Sequence, residues 1–241
     1  MMRDDRPIGP SVGDWQVPSL PQGETLQGRY ARLERLNADT HAALLFKAFD
    51  GHDWVWDYMP SGPYASSAQF HRWMREATAR DDILFYAIFD KETGEFGGFA
   101  SYLRMKPESG SIEVGYIAMA PCLQRTKAAS EAMFLMMQWA FEAGYRRYEW
   151  KCDALNAPSR RAAQRLGFSY EGIFRQATVV KGHNRDTAWF AMIDTEWPAL
   201  REAFDFWLSP SNFAADGQQK ERLSDLTTLV REASDPSLAR T

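Results

Sequence analysis

The sequence predicts a mixed α/β fold: a central sheet, mostly antiparallel, with helices flanking it. Three observations carry this reading. Apolar runs joined by short turns follow one another from Ile83 to Met119, the pattern of an antiparallel meander. A helix-period segment from Lys127 to Ala143 then separates the last of those runs from another strand-like run, Tyr145 to Asp153, which makes a βαβ crossover and one parallel pair. The chain has 241 residues, 45% hydrophobic and 14% aromatic, enough for one large packed domain with extensions.

The elements follow in order. Residues 1 to 24 are rich in Pro, Gly and charge and read as an extended arm, either packed on the domain or free of it. Leu26 to Leu36 alternates as one strand. Asn37 caps a helix over Ala38 to Phe49, with Ala42, Leu45, Phe46 and Phe49 at helical spacing. His52 to Tyr64 gathers Trp54, Trp56, Tyr58, Met59 and Tyr64, as a loop stapled to the core or as a wall of a ligand pocket. Ser66 or Ser67 caps a second helix to about Ala79. Three strands follow, at Ile83–Phe89, Phe96–Met105 and Ser111–Met119, with turns at Asp90–Gly94 and Pro107–Gly110. Gly144 ends the 127–143 helix, and Tyr145–Asp153 runs as a strand. Asn156 opens a helix with Pro158 in its first turn, and Gly167 ends it. Phe174–Val180 and Thr187–Ile193 form a hairpin across Lys181–Asp186, and Trp197–Pro198 opens a helix to about Leu208. Residues 209 to 241 are polar, with a short helix around Leu223–Val230 and a frayed end.

The formal net charge of −4 argues against a general nucleic-acid binder. No apolar run is long enough for a membrane span, and the charged start lacks a secretory h-region. With two cysteines, Cys122 and Cys152, the expectation is a reducing cytoplasm and free thiols, each a small buried hydrophobe. The four histidines are scattered and no Cys/His cluster has metal-ligand spacing, so no metal is expected.

One stretch organises the chain. Glu113 to Met119 reads as a strand, Pro121 marks a turn, and Gln124-Arg125-Thr126-Lys127-Ala128-Ala129 starts a helix. The first N–H groups of a helix lack intrahelical partners and carry partial positive charge, which makes an anion site. Arg125 and Lys127 add charge there, and the small residues leave room for a phosphate to approach the backbone. Ligands of such mixed sheets bind where strands part, at their C-terminal ends.

These residues resemble the Gcn5-related N-acetyltransferase (GNAT) family, in its RimJ/RimL-like branch of ribosomal-protein-alanine acetyltransferases. Three features carry the resemblance, over about Leu26 to Leu208: the strand with its Gln124–Ala129 loop, set against the family's Q/R-x-x-G-x-G/A; Asn156-Ala157-Pro158-Ser159 followed by Leu166-Gly167-Phe168; and the succession of elements around them. The resemblance implies an N-terminal arm (1–24), an acetyltransferase domain (25–208) and a C-terminal extension (209–241). It implies a sheet whose parallel pair splays apart around acetyl-CoA, the co-substrate, and an amine as acceptor, on a protein N-terminus or a small molecule.

By the same resemblance, Ile117 and Met119 offer backbone contacts to the pantetheine arm. Gln124, Arg125, Thr126, Lys127, Ala128 and Ala129 cradle the pyrophosphate, and Asn156 and Ser159 lie near the thioester. Glu113 stands where many members carry the general base; the alternative is a strand carboxylate paired with Lys or Arg. Lys127 stands where the family has a glycine, so it either crowds the cofactor or pairs with phosphate. Ala163 replaces a Tyr that serves some relatives as general acid, which leaves Ser159 as the candidate partner of the leaving thiolate, or else a capping hydroxyl. Asp153 is read as fixing its loop through Arg160 or Arg161. Asp53 and Asp57 with Trp54, Trp56 and Tyr58 would suit a cationic amine. The competing reading is a non-catalytic acyl-CoA-binding module, and a homodimer through the late strands or final helix stays open.

Overall fold

In the computed structural model, residues 7–238 are described. Strands β1 (Leu26–Gln27), β2 (Ala31–Arg35), β3 (Ile83–Asp90), β4 (Glu95–Lys106), β5 (Ser111–Met119), β6 (Arg147–Asp153), β7 (Ser169–Val180) and β8 (His183–Ile193) form one eight-stranded sheet. Its order is β1-β2-β3-β4-β5-β6-β8-β7, antiparallel throughout except for the β5–β6 pair. Helices α1 (Ala38–Phe49) and α2 (Ser67–Thr78) cover one face. Helices α3 (Lys127–Glu142), α4 (Ala157–Arg165), α5 (Trp197–Leu208) and α6 (Leu223–Thr228) share the core on the other.

Local chemistry sets the helix starts. Asn37 Oδ1 accepts from the Thr40 N–H, Ser66 Oγ from Gln69, Thr126 Oγ1 from Ala129 and Asn156 Oδ1 from Ser159. Each such cap contributes about 1 kcal/mol by satisfying a donor that the helix cannot. The two faces of the sheet then bury separate cores. Tyr102, Tyr148 and Phe190 pack under α3 and α5, while Phe85, Phe99 and Leu103 pack under α1 and α2.

The structure corrects the sequence reading at four places and decides a fifth that the sequence left open. The first strand is a small hairpin, β1 and β2, because the Glu131 carboxylate on α3 accepts from the N–H groups of Arg29, Tyr30 and Ala31 and bends the chain there. Strands β7 and β8 are longer than read, since their turn is only Lys181–Gly182, both with positive φ (50° and 79°). This is the backbone of a two-residue hairpin turn, where glycine is favoured. Cys122 is exposed rather than buried, because the 120–124 turn directs Leu123 inward instead. The C-terminal segment is docked rather than frayed through residue 238: Asp235 is 1% exposed and holds Arg160 of α4 in a two-pronged ion pair. The arm packs on the domain from residue 15 on, with Trp15 Nε1 donating to Gly144 O and Tyr145 OH donating to Ser19 O. Its first six residues lie outside the described residues. Among the described residues, no helix is long and apolar enough to cross a membrane.

Candidate active site

The site begins where β5 leaves β6. The two strands pair in register only from Ser111↔Arg147 to Val114↔Trp150, and β6 then continues with β8 alone. The cause lies in β5. At Gly115–Tyr116 the strand bulges against β4, with the register shifting between Ser101↔Gly115 and Phe99↔Ala118. Tyr116 takes φ 47°, and a Cβ on Gly115 would come within 2.8 Å of the Leu103 side chain. A bulge bends its strand and ends regular pairing, so the parallel pair opens. Ala120 N–H donates to Gly97 O of β4 and Ala118 pairs with Phe99, so strand alternation turns the main chain of Ile117 and Met119 toward the gap.

A cavity of about 270 Å³ fills the opening. Glu113, Ile117, Cys152, Asp153, Asn156 and Ser159 line it from the strand ends and the start of α4. Val55, Tyr58, Met59 and Pro60 line it from the aromatic loop, Leu103, Arg104 and Tyr116 from β4 and β5, and Thr178, Val180 and Arg185 from the late hairpin. The aromatic loop therefore divides its work. Trp56 is buried in the α1–α2 core and Trp54 is 54% exposed, while Tyr58 reaches the cavity and its hydroxyl donates to Leu155 O. Asp53, Asp57, Trp54 and Trp56 are not on the lining, so the acidic aromatic wall expected for a cationic amine is not part of this cavity; Asp53 and Trp56 line a separate small pocket with Asp50 and Tyr64.

Glu113 is 2% exposed, and its carboxylate meets two cations, Arg104 Nη1 at 2.5 Å and Lys151 Nζ at 2.8 Å. Lys151 also pairs with Glu149 at 2.7 Å. Burial pushes the Glu113 carboxyl above the ordinary Glu value, against the pull of Lys151 and Arg104. Glu113 is thus ion-paired, as the alternative reading has it, and it also faces the cavity.

Ser159 is not a capping hydroxyl. Its Oγ accepts from Trp150 Nε1 at 3.1 Å, which leaves its own O–H to donate, with the Cys152 sulfur within its reach. The cap is Asn156, through its Oδ1. Cys152 beside it has its thiol pushed up by burial and stays protonated. Asp153 fixes the loop through the Leu155 N–H rather than through Arg160 or Arg161; Arg160 instead donates to Ala154 O while paired with Asp235.

Gln124 to Ala129 lie apart from this cavity, at the start of α3. Gln124 Nε2 donates to Met119 O, and Arg125 takes φ 63°. The N–H groups of Arg125, Lys127 and Ala128 find no acceptor among the described residues, which is the donor set an anion requires. The Lys127 side chain is engaged elsewhere. It pairs with Glu92 and lies over the rings of Tyr30 (4.8 Å) and Phe213 (5.2 Å). Lys127 therefore offers this turn its backbone, not its charge.

The geometry agrees with the comparisons to known proteins. The family model for the acetyltransferase (GNAT) domain matches residues 31–169, more than half of the chain. The chain belongs to the GNAT acetyltransferase family. Its structure is similar to that of a GCN5-related N-acetyltransferase from Brucella melitensis, with TM-score 0.87 and 45% identity over 90% of this chain and 100% of that one. It is also similar to a GNAT-family protein from Chromobacterium violaceum, with TM-score 0.76 and 39% identity over 82% of this chain and 100% of that one. RimL, a ribosomal L7/L12 alpha-N-protein acetyltransferase solved in complex with coenzyme A, shares the fold at 21% identity and TM-score 0.60, over 71% of this chain and 99% of that one. No curated protein matches the sequence. The family uses acetyl-CoA, and the chain is an N-acetyltransferase.

Among the cavity residues that escaped the sequence reading are four polar ones, Arg104, Tyr116, Lys151 and Arg185. Strand alternation puts Lys151 on the face of Glu149, but nothing in the sequence shows that β5 brings Glu113 to it. Gly115 was the available signal for the bulge that turns Tyr116 inward. Among the described residues, no cluster of three or more His, Cys, Asp or Glu can hold a metal.

Proposed function

We propose that this protein transfers an acetyl group from acetyl-CoA to a primary amine by direct attack, with Glu113 as general base. The observation that carries the assignment is the buried Glu113 carboxylate on the wall of the cavity where β5 and β6 part. The residues fit the co-substrate. The start of α3 presents unpaired N–H groups for the pyrophosphate, with the exposed Arg125 beside them, and Ile117 and Met119 turn main-chain groups to the gap for the pantetheine arm.

Acetyl-CoA supplies the acetyl group already activated as a thioester. The chain supplies the rest. Glu113 takes the proton from the acceptor ammonium so that a neutral nitrogen can attack; its raised pKa makes it a stronger base than an exposed Glu, and Arg104 and Lys151 keep it ionised and aimed. The Ile117 N–H faces the gap and stabilises charge on the carbonyl oxygen as the nitrogen–carbon bond forms. The Ser159 O–H donates a hydrogen bond to the sulfur as the carbon–sulfur bond breaks, and the second N–H proton of the attacking nitrogen passes to the thiolate, so that the amide and the coenzyme A thiol leave.

The finer placement is the RimJ/RimL-like branch, with a protein N-terminus or a small-molecule amine as acceptor. Its support is the shared fold and the spacing of Asn156–Ser159 to Gly167–Phe168. Two free cysteines support a reducing, cytoplasmic setting. The side-chain placement of Lys127 removes the reason for a non-catalytic reading, since it neither fills the cradle nor waits there for phosphate. The test is thiol release from acetyl-CoA across an amine panel. Release that depends on an added amine supports the reading; tight coenzyme A binding without release on any amine contradicts it.

A further inference from the structure

We propose that the acceptor carries an anionic group beside its amine, and that Arg185 binds it. This rests on the acetyltransferase reading and names its substrate class. Strand register places Lys151 opposite Trp189 and Asp153 opposite Thr187 on β8. Alternation then sets Arg185 on the same face of the sheet as Trp189, whose ring lies 3.8 Å from Lys151 Nζ. Lys151 is the cation that holds Glu113, so the base and Arg185 share one face and one cavity.

The ion pairs around that face do not include Arg185. Glu113 takes Arg104 and Lys151; Glu149 takes Lys151 and Arg147; Glu171 takes Arg147. Asp186, the next residue on β8, accepts from the Gln176 N–H and from Asn184. Asp153 on the cavity wall accepts from the Leu155 N–H. Among the described residues no carboxylate lies within ion-pair reach of Arg185, and its Nε is buried without a partner. Arg185 as a whole is half-buried, but its buried Nε–H with no acceptor is unfavourable unless a ligand completes it.

The co-substrate does not complete it. None of Gln124 to Ala129 lines the cavity, so the pyrophosphate turn is elsewhere, and the pantetheine arm that enters the gap is uncharged. The anion must arrive on the acceptor. A guanidinium presents two parallel donors that match a carboxylate, and it also serves a phosphate. The acceptor class is therefore an amine bearing its own carboxylate or phosphate, rather than a polyamine.

The test compares kcat/KM for amino acids, their matched carboxamides and aminoalkyl phosphates, in the wild-type protein and in Arg185→Gln and Arg185→Lys. The wild type should favour one anionic set over the carboxamides by about tenfold to a hundredfold, the size expected of one charge-assisted contact. Arg185→Gln should remove that preference through the KM of the acceptor, with the KM of acetyl-CoA unmoved, and Arg185→Lys should restore part of it. Equal use of acids and carboxamides by the wild type, or a preference that survives Arg185→Gln, overturns the proposal. If no amine is acetylated at all, the acetyltransferase reading fails, and calorimetry of the same pairs on the protein–coenzyme A complex still decides: preferential binding of the anion supports the proposal and equal binding overturns it.

Discussion

The Asp235–Arg160 pair makes a quantitative prediction about the C-terminal segment. Asp235 receives Arg160 Nε and Nη2 at 2.7 Å each, and the side chains are 0% and 10% exposed. Replacing Asp235 by Ala leaves a buried guanidinium whose remaining hydrogen bond is to Ala154 O, beside the Tyr170 ring at 5.9 Å. Removing one partner of a buried pair costs about 3–5 kcal/mol. For a chain of this size each kcal/mol moves Tm by about 2–4 °C, so Asp235→Ala should lower Tm by roughly 6–20 °C. The double variant Asp235→Leu/Arg160→Met should recover most of that, because it leaves no uncompensated charge. Thermal unfolding followed by circular dichroism measures both. A shift for Asp235→Ala no larger than about 0.5 kcal/mol, as for an ordinary surface change, would refute the view that this segment is anchored at the active-site helix.

Other expectations follow from the same structure. Arg125→Ala should weaken coenzyme A binding about tenfold to a hundredfold and flatten its salt dependence, whereas Lys127→Ala should leave the salt slope in place, because Glu92 already holds that charge; isothermal titration at several salt concentrations separates the two. Glu131→Ala should destabilise by several kcal/mol, about 1–3 kcal/mol for each of the three N–H groups left without an acceptor, read by chemical denaturation. Ser159→Ala should lower kcat while leaving the acetyl-CoA KM little changed, and unchanged kcat in steady-state assays would remove Ser159 from the reaction.

Much of the fold was readable because its signals are local. The meander, the crossover helix and the caps at Asn37 and Asn156 each rest on residues within a few positions of one another. The misreadings come from long-range partners. The first strand breaks because of Glu131, about a hundred positions away, and the C-terminal end is ordered by Arg160, 75 positions away. The late hairpin looked short because His183-Asn184-Arg185-Asp186 is polar, yet an exposed edge hairpin tolerates polar residues and only Lys181–Gly182 is needed to turn. At the site, the family resemblance pointed to Glu113, Asn156 and Ser159, and these three line one cavity. It missed Arg104, Lys151 and Arg185, which meet Glu113 or its cavity only through cross-strand register and a bulge. Lys127 was legible as a charge at a helix start, but its capture by Glu92, Tyr30 and Phe213 depends on tertiary packing.

The most direct test of the account is the pH dependence of kcat/KM in the wild type and in Glu113→Gln. Burial raises the Glu113 pKa, so the protonated and inactive form should persist to higher pH than for an exposed Glu. The wild-type rate should therefore fall as pH drops, along an acid limb displaced upward from the ordinary carboxylate range. Glu113→Gln should lose that limb and about 10²–10⁴-fold in rate, the usual contribution of a positioned base. A Glu113→Gln variant that keeps both the rate and the limb would show that the proton goes to another group, and the assignment of this cavity's base would be wrong.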